Sequence, residues 1–351
     1  MEAEYQSREL LALLDRIDRA GEVDLLVDLA AAGRDLCAAW VMADLGGSWL
    51  ARLLSEMNDR IAGRAISLAA ARHRLPAVSW CWLALGSEGR HEQTFCTDQD
   101  NGLIFSAADP SEADALRELF LPFAQAVNGD LDRCGLMLCS GGVMAGNPKW
   151  CLSLDEWQWQ FSEWIRRPEP QALLHATIFF DFRSLWGDVE LSRQLRRYLL
   201  GLTRDTPAFL HLMAANALDV QPPLGFLGDV KAAGDDGGCV DLKKFGIRLF
   251  VDVARILALA HGVEQVGTAS RLGAAASGAG MQPREAAAAV SALSHLQRLR
   301  LSSQVGVLAA GGTPSHRLDP EGLNELDQAI LRESLKQARK LQQRLRLNYS
   351  L

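Results

Sequence analysis

Two acids two residues apart, Asp98 and Asp100, stand at the head of an apolar run in the stretch "LALGSEGRHEQTFCTDQDNGLIF", Leu83 to Phe105. Burying an ionised carboxylate is costly unless positive charge lies against it, and no Lys or Arg adjoins this pair. A divalent cation is the natural counter-charge. Side chains alternate along a strand, so residues two apart share a side and both carboxylates project together, with Gln99 facing the other way. Hard oxygen donors in that arrangement suit Mg²⁺ or Mn²⁺, which keep several waters and take remaining ligands from substrate phosphates. Two such ions can clamp the attacking and leaving oxygens of an in-line phosphoryl or nucleotidyl transfer.

Gly86 and Ser87 lie a dozen residues before the pair, where an apolar strand gives way to a polar segment. A glycine-serine turn lets backbone N–H groups and a hydroxyl approach a chain of phosphates closely. Arg90, one turn further on, has the planar fork that recognises phosphate, and Glu92 orients it or caps the segment. A surface ion pair of Arg90 with Glu88 or Glu92 is the plainer alternative. Each part is commonplace alone. Strand, Gly-Ser, about a dozen residues, Asp-x-Asp and strand together form a much more specific pattern.

The elements that must hold these residues can be read from periodicity. "SRELLALLDRIDRA" sets Leu10, Leu11, Leu14 and Ile17 at helical spacing, and Leu50, Leu53, Leu54, Met57 and Ile61 repeat it. Residues 1–75 therefore form a helical segment. From Val78, short apolar runs bounded by turn residues predict strands at "VSWCWLALGS", "NGLIFS" and "GLMLCSGGV". Between the second and third lies an amphipathic helix opened by Ser111. Residues 76–168 are thus a compact α/β core, and Trp157, Phe161 and Trp164 at helical spacing predict a helix packing its aromatic face inward. Residues 169–351 read as helices, "QALLHATIFFDFRSLWGD" included, divided by glycine-rich links at 228–241 and 271–285. The fold class is α+β, with a small mixed sheet flanked by helices.

The net charge of −7 supplies no global field for nucleic acid, so nucleic acid is not the expected partner. Seven scattered cysteines show no Cys-x-x-Cys pair and no zinc spacing, which fits reduced thiols in a cytoplasmic protein. No apolar run approaches the roughly 18 residues of a membrane span, so no membrane partner is expected either.

The elements Gly-Ser-x-Gly-Arg-x-Glu-Gln (Gly86, Ser87, Gly89, Arg90, Glu92, Gln93) and Thr-Asp-Gln-Asp-Asn (Thr97 to Asn101) resemble the signature of the polymerase-β-like nucleotidyltransferases. Within that superfamily the chain is similar to a bacterial nucleotidyltransferase family related to the uridylyltransferases and adenylyltransferases of nitrogen regulation. "CSGGVMAGNPKW", "FFDFRSLWGD", "VDLKKFGIRLFVDVARILAL" and "TASRL" extend the likeness into a helical C-terminal domain usually described as substrate-binding. No CBS or cyclic-nucleotide-binding module fits in this length. The resemblance implies catalytic and metal-binding roles for Asp98 and Asp100. It implies nucleotide binding at Gly86, Ser87, Arg90, Glu92 and Asn101, and substrate-domain roles for Asp181, Arg183, Lys243, Arg255 and Arg271. It further implies transfer of a nucleoside monophosphate from a nucleoside triphosphate to a hydroxyl of a protein or small molecule, with Mg²⁺ or Mn²⁺ as cofactor. Many superfamily members carry a third carboxylate on a later strand. "GLMLCSGGV" carries none, which leaves Asp155 or Asp181 to be brought in by the fold, or a nucleotide-binding regulator that does not transfer. His91 is the one histidine inside the signature.

Overall fold

The computed structural model describes residues 2–43, 49–225, 229–231 and 238–351, so residues 228 and 232–237 of the 228–241 link lie outside the described residues. The chain divides into two compact units. One is drawn from Met1–Ala43, Arg52–Gln160 and Phe182–Arg196, the other from Asp44–Ala51, Phe161–Asp181 and Arg197–Leu351.

The first unit opens with helices α1 (Glu2–Asp18), α2 (Val23–Met42) and α3 (Trp49–Arg72). In α1 the buried face is Leu13, Leu14 and Ile17, while Leu11, expected inside, is exposed. The reason is angular: positions 10, 13, 14 and 17 form one stripe of a 3.6-residue helix, and position 11 lies about 100° away from position 10. The face predicted for α3 (Leu50, Leu53, Leu54, Met57, Ile61) is buried.

Strands β1 (Trp80–Ala84), β2 (Asn101–Phe105), β3 (Cys151–Ser153) and β4 (Arg183–Gly187) form a mixed sheet in the order β3-β2-β1-β4. β1 pairs antiparallel with β2, Ala84 opposite Asn101, and with β4, while β2 and β3 are parallel. Two sequence expectations need correcting. "GLMLCSGGV" is not a named strand: it contributes one parallel bridge, Met137 to Asp98, before the Ser140-Gly141-Gly142 turn breaks the ladder, with Gly142 at φ +66°. Within the segment expected to be helical, α7 (Pro170–Phe179) stops and Arg183–Gly187 becomes β4, because β1 offers a free edge that satisfies its backbone.

Helix α4 (Gly86–Gly89) is a single turn, and α5 (Pro110–Arg133) covers the sheet. The cap of α5 is Asp109 rather than Ser111: its carboxylate accepts the Glu112 N–H at 2.9 Å, and Pro110 takes the first helical position, where no N–H is needed. Phe120 stacks on Phe105 at 5.3 Å between ring centres, and Phe123 meets Trp80 and Trp82 edge-on. On α6 (Leu154–Arg166), Trp157 is buried and donates its indole N–H to the Leu103 carbonyl at 3.1 Å. Gly102 leaves room for that ring: a Cβ there would sit 3.1 Å from it.

The second unit contains α7 and helices α9 (Pro207–Ala217), α10 (Arg248–Ala260), α11 (Thr268–Ala275), α12 (Pro283–Ala309) and α13 (Glu325–Tyr349), with α8 (Val189–Arg204) running into it. Part of the second glycine-rich link is therefore helical, as α11. A two-stranded ribbon, β5 (Val240–Asp241) with β6 (Arg317–Leu318), also belongs here. Phe161 and Trp164 join Phe179 and Phe180 in its aromatic core. Helix α10 is buried from Leu249 to Leu259, Asp252 and Arg255 included.

Candidate active site

The site is built where β1 ends and β2 begins. Gly86 adopts φ +54°, a left-handed conformation open to glycine at little cost, and its α-carbon faces Asp100 so closely that a Cβ would lie 2.9 Å from Oδ2. Both backbone groups of Asp100 are anchored. Its carbonyl accepts the Leu85 N–H at 2.8 Å, and its N–H donates to the Glu88 carboxyl. Bend and acid are therefore one structure.

The predicted alternation holds from Thr97 to Asn101: Thr97, Gln99 and Asn101 are buried, whereas Asp98 and Asp100 are half-exposed. Inward, Gln99 donates to the carbonyls of Asn128 and Leu136 at 3.0 and 2.8 Å. Asn128 donates to Gln99 Oε1 at 2.8 Å and Asn101 Oδ1 at 3.0 Å, and accepts the Gly146 N–H at 2.8 Å. Outward, donor atoms of Asp98, Asp100 and Cys139 all lie within 4.8 Å of one another. Cys139 arrives because the Gln99 N–H bonds the Met137 carbonyl and the Asn101 N–H bonds that of Val143, pinning the loop on either side of it. Burial, with the negative charges of Asp100 and Asp98, raises the Cys139 thiol pKa, while N–H groups of Val143 and Gly141 aimed at the sulfur oppose that shift.

This donor set fits a divalent cation. Two carboxylate oxygens and a sulfur converge on one half-exposed point, and the bend beside it would be filled by any side chain at position 86.

Residues 31–171 match the family described as "Putative nucleotidyltransferase DUF294", and residues 207–349 match its companion, "Putative nucleotidyltransferase substrate binding domain". The chain belongs to this nucleotidyltransferase family. No curated protein matches it.

The other residues suggested by the family likeness are distributed unevenly. Ser87 is half-exposed beside Gly86. Arg90 Nε donates to Glu92 at 2.8 Å, and the two side chains are only 11% and 9% exposed, so this is a largely desolvated pair rather than a surface one. Asn101, expected beside the nucleotide, is buried, and its side chain accepts the Ala145 N–H at 2.8 Å besides contacting Asn128. These contacts tie it to α5 and to the chain around Ala145. Arg183 lies on β4, donating to Asp59 at 2.6 Å and to the Glu88 carbonyl at 2.9 Å.

Asp181 is held by two other arginines. It is fully buried in the second unit, where Arg255 approaches through Nε at 3.0 Å and Nη2 at 2.6 Å, and Arg271 closes on Oδ1. Burial disfavours the Arg255 charge, and Asp181 with Asp252 more than offsets that. Lys243 stands exposed on the segment leading into α10. Asp155 is exposed in the first turn of α6, and neither it nor Asp181 joins the cluster of Asp98, Asp100 and Cys139, which has no third carboxylate among the described residues.

Four supporting residues escaped sequence reasoning. Glu88 is buried, and burial first, then the neighbouring Asp59 charge, pushes its pKa up to about 8 against the pull of Arg183. Its one signal was an acid between two glycines of the motif. Ser55 and Asn58 of α3 bond Gln93: the Gln93 N–H donates to Ser55 Oγ at 3.0 Å, and Asn58 Nδ2 donates to Gln93 Oε1 at 3.2 Å. Asn128 sits on the inner face of α5 with nothing in its neighbourhood to mark it. His91 adopts φ +56°, and its ring faces Asp59 at 3.4 Å. Burial, with Arg183 and Arg52 nearby, lowers its pKa to about 4, so it is neutral at pH 7.

Proposed function

We propose that this chain is a divalent-metal-dependent nucleotidyltransferase that moves a nucleoside monophosphate from a nucleoside triphosphate to a hydroxyl on a protein or small molecule. The observation that carries the reading is the Gly86 bend pressed against the Asp100 carboxylate, with Asp98 beside it. Gly86 and Ser87 would hold the phosphate chain, and Arg90, steered by Glu92, would meet it from one turn away. Asp98 and Asp100 would hold Mg²⁺ or Mn²⁺, which when bound neutralises charge developing on the phosphates. The acceptor hydroxyl gives up its proton to solvent and forms its bond to the α-phosphorus as the bond to the bridging oxygen breaks, and pyrophosphate leaves. Positioning and electrostatics carry most of such a reaction. The acceptor is assigned to the region matching the substrate-binding family, 207–349.

The test is release of pyrophosphate from labelled triphosphates with Mg²⁺ or Mn²⁺ and acceptors from a native lysate. Release that disappears in the D98N/D100N variant is expected. Indistinguishable behaviour of wild type and variant would overturn the reading. The absence of a third carboxylate from the described cluster favours one alternative, a nucleotide-binding regulator. Metal-dependent nucleotide binding in a calorimeter without turnover would decide for it.

A further inference from the structure

We propose that the third protein ligand of the cation site is the Cys139 thiolate, which tunes the site toward Mn²⁺ and softer divalent ions and away from Mg²⁺. This rests on reading Asp98 and Asp100 as a cation site and specifies what completes it. Superfamily chemistry led to the expectation of a carboxylate on the segment after α5, and at that place the fold puts a sulfur.

Three observations carry the inference. First, the distances suit a shared ion. Ligand bonds of about 2.0–2.4 Å allow two donors on one ion to be at most about 4.8 Å apart. The donor atoms of Asp98, Asp100 and Cys139 lie within 4.8 Å of one another, inside that reach. Second, the sulfur is placed rather than incidental. Backbone hydrogen bonds from Gln99 and Asn101 grip its loop at Met137 and Val143, and the N–H groups of Gly141 and Val143 approach the sulfur. Third, it is accessible. Cys37, Cys81, Cys134 and Cys151 are buried, as suits inert packing thiols, whereas Cys139 is half-exposed on the side where both acids emerge.

Chemistry supplies the selectivity. Mg²⁺ demands near-ideal octahedral oxygen coordination and gives up water reluctantly, whereas a thiolate is a soft donor suited to Zn²⁺, Co²⁺ and Cd²⁺. Mn²⁺ lies between, tolerating carboxylate and sulfur together. Binding displaces the thiol proton to solvent, so metal uptake releases protons.

The experiment titrates the full-length chain with Co²⁺ and Cd²⁺, reading the thiolate-to-metal charge-transfer absorption, and with Mn²⁺ and Mg²⁺ in a calorimeter. The wild type should show the absorption at one ion per chain. C139S should lose it, with the preference for Mn²⁺ over Mg²⁺ falling on the order of tenfold. C139D should also lose it while binding Mg²⁺ at least as well as wild type, which separates a ligand change from misfolding. C96S, changing another half-exposed cysteine, should retain it. An absorption and metal preference unchanged in C139S would overturn the proposal. If in addition D98N/D100N abolished Mn²⁺ binding, the aspartate site would stand without the sulfur. No ion bound by the wild type would overturn both.

Discussion

Replacing Gly86 with alanine tests whether the bend and the acid pair are coupled. Two costs follow from the structure. At φ +54° an L-residue loses about 1–2 kcal/mol relative to glycine. The added Cβ would also lie 2.9 Å from Asp100 Oδ2, inside any ordinary contact, so something must move. The Asp100 backbone is tied at both ends, to the Leu85 N–H and to Glu88, so the carboxylate must rotate away from the bend. G86A is therefore expected to lower unfolding stability by about 1–2 kcal/mol in a denaturant titration. Mn²⁺ affinity should fall further than stability alone explains, because the group displaced is the proposed ligand. Gly129 provides the control. It is an exposed glycine inside α5 with nothing within 4 Å of a built Cβ, so G129A should stabilise by about 0.5–1 kcal/mol and leave metal binding untouched. Wild-type stability and Mn²⁺ affinity in G86A would refute the argument that the bend lies against the acid.

N128A removes one side chain that satisfies Gln99, Asn101 and Gly146, and should cost about 2–3 kcal/mol in denaturant unfolding. It should also slow nucleotidyl transfer although Asn128 touches no substrate in the proposed reaction. For Glu88, a folded-state pKa of about 8 lies above its unfolded value, so the folded chain binds the extra proton and stability falls as pH rises from about 4.5 through 8. E88Q should flatten that decline and exceed wild-type stability at pH 8, as measured by unfolding across a pH series. D181A removes the buried carboxylate that Arg255 and Arg271 share, leaving Arg255 only Asp252, and should cost about 3–5 kcal/mol, measured in the same way.

The acid pair, its facing direction and the glycine-serine bend were legible because they depend on local rules. Period-two alternation from Thr97 to Asn101 places the odd-numbered residues inside whatever the rest of the chain does. The third and fourth strands were misread for a different reason. Whether a short apolar segment becomes strand or loop depends on which sheet edge it reaches, and β4 finds β1 from about a hundred residues away. No window of sequence around Arg183 contains that fact. The supporting polar residues were hidden in the same way, since Asn58, Asn128 and Glu88 draw their importance from partners distant in the chain.

Cys139 shows how such a gap can mislead about chemistry. Counting cysteines and seeking paired spacings tests for sites made of thiols and imidazoles, and a single sulfur completing an aspartate pair leaves no spacing to find. Yet the loop carrying it is held by the N–H groups of Gln99 and Asn101, the inward-facing residues that alternate with the two acids. The alternation of Thr97–Asn101, in the segment leading into β2, that aims Asp98 and Asp100 outward is thus the geometry that brings the sulfur to them. Any change that slips the register of Thr97–Asn101 by one residue would bury both acids and release Cys139 together, so acids and thiol should be lost or retained as a unit.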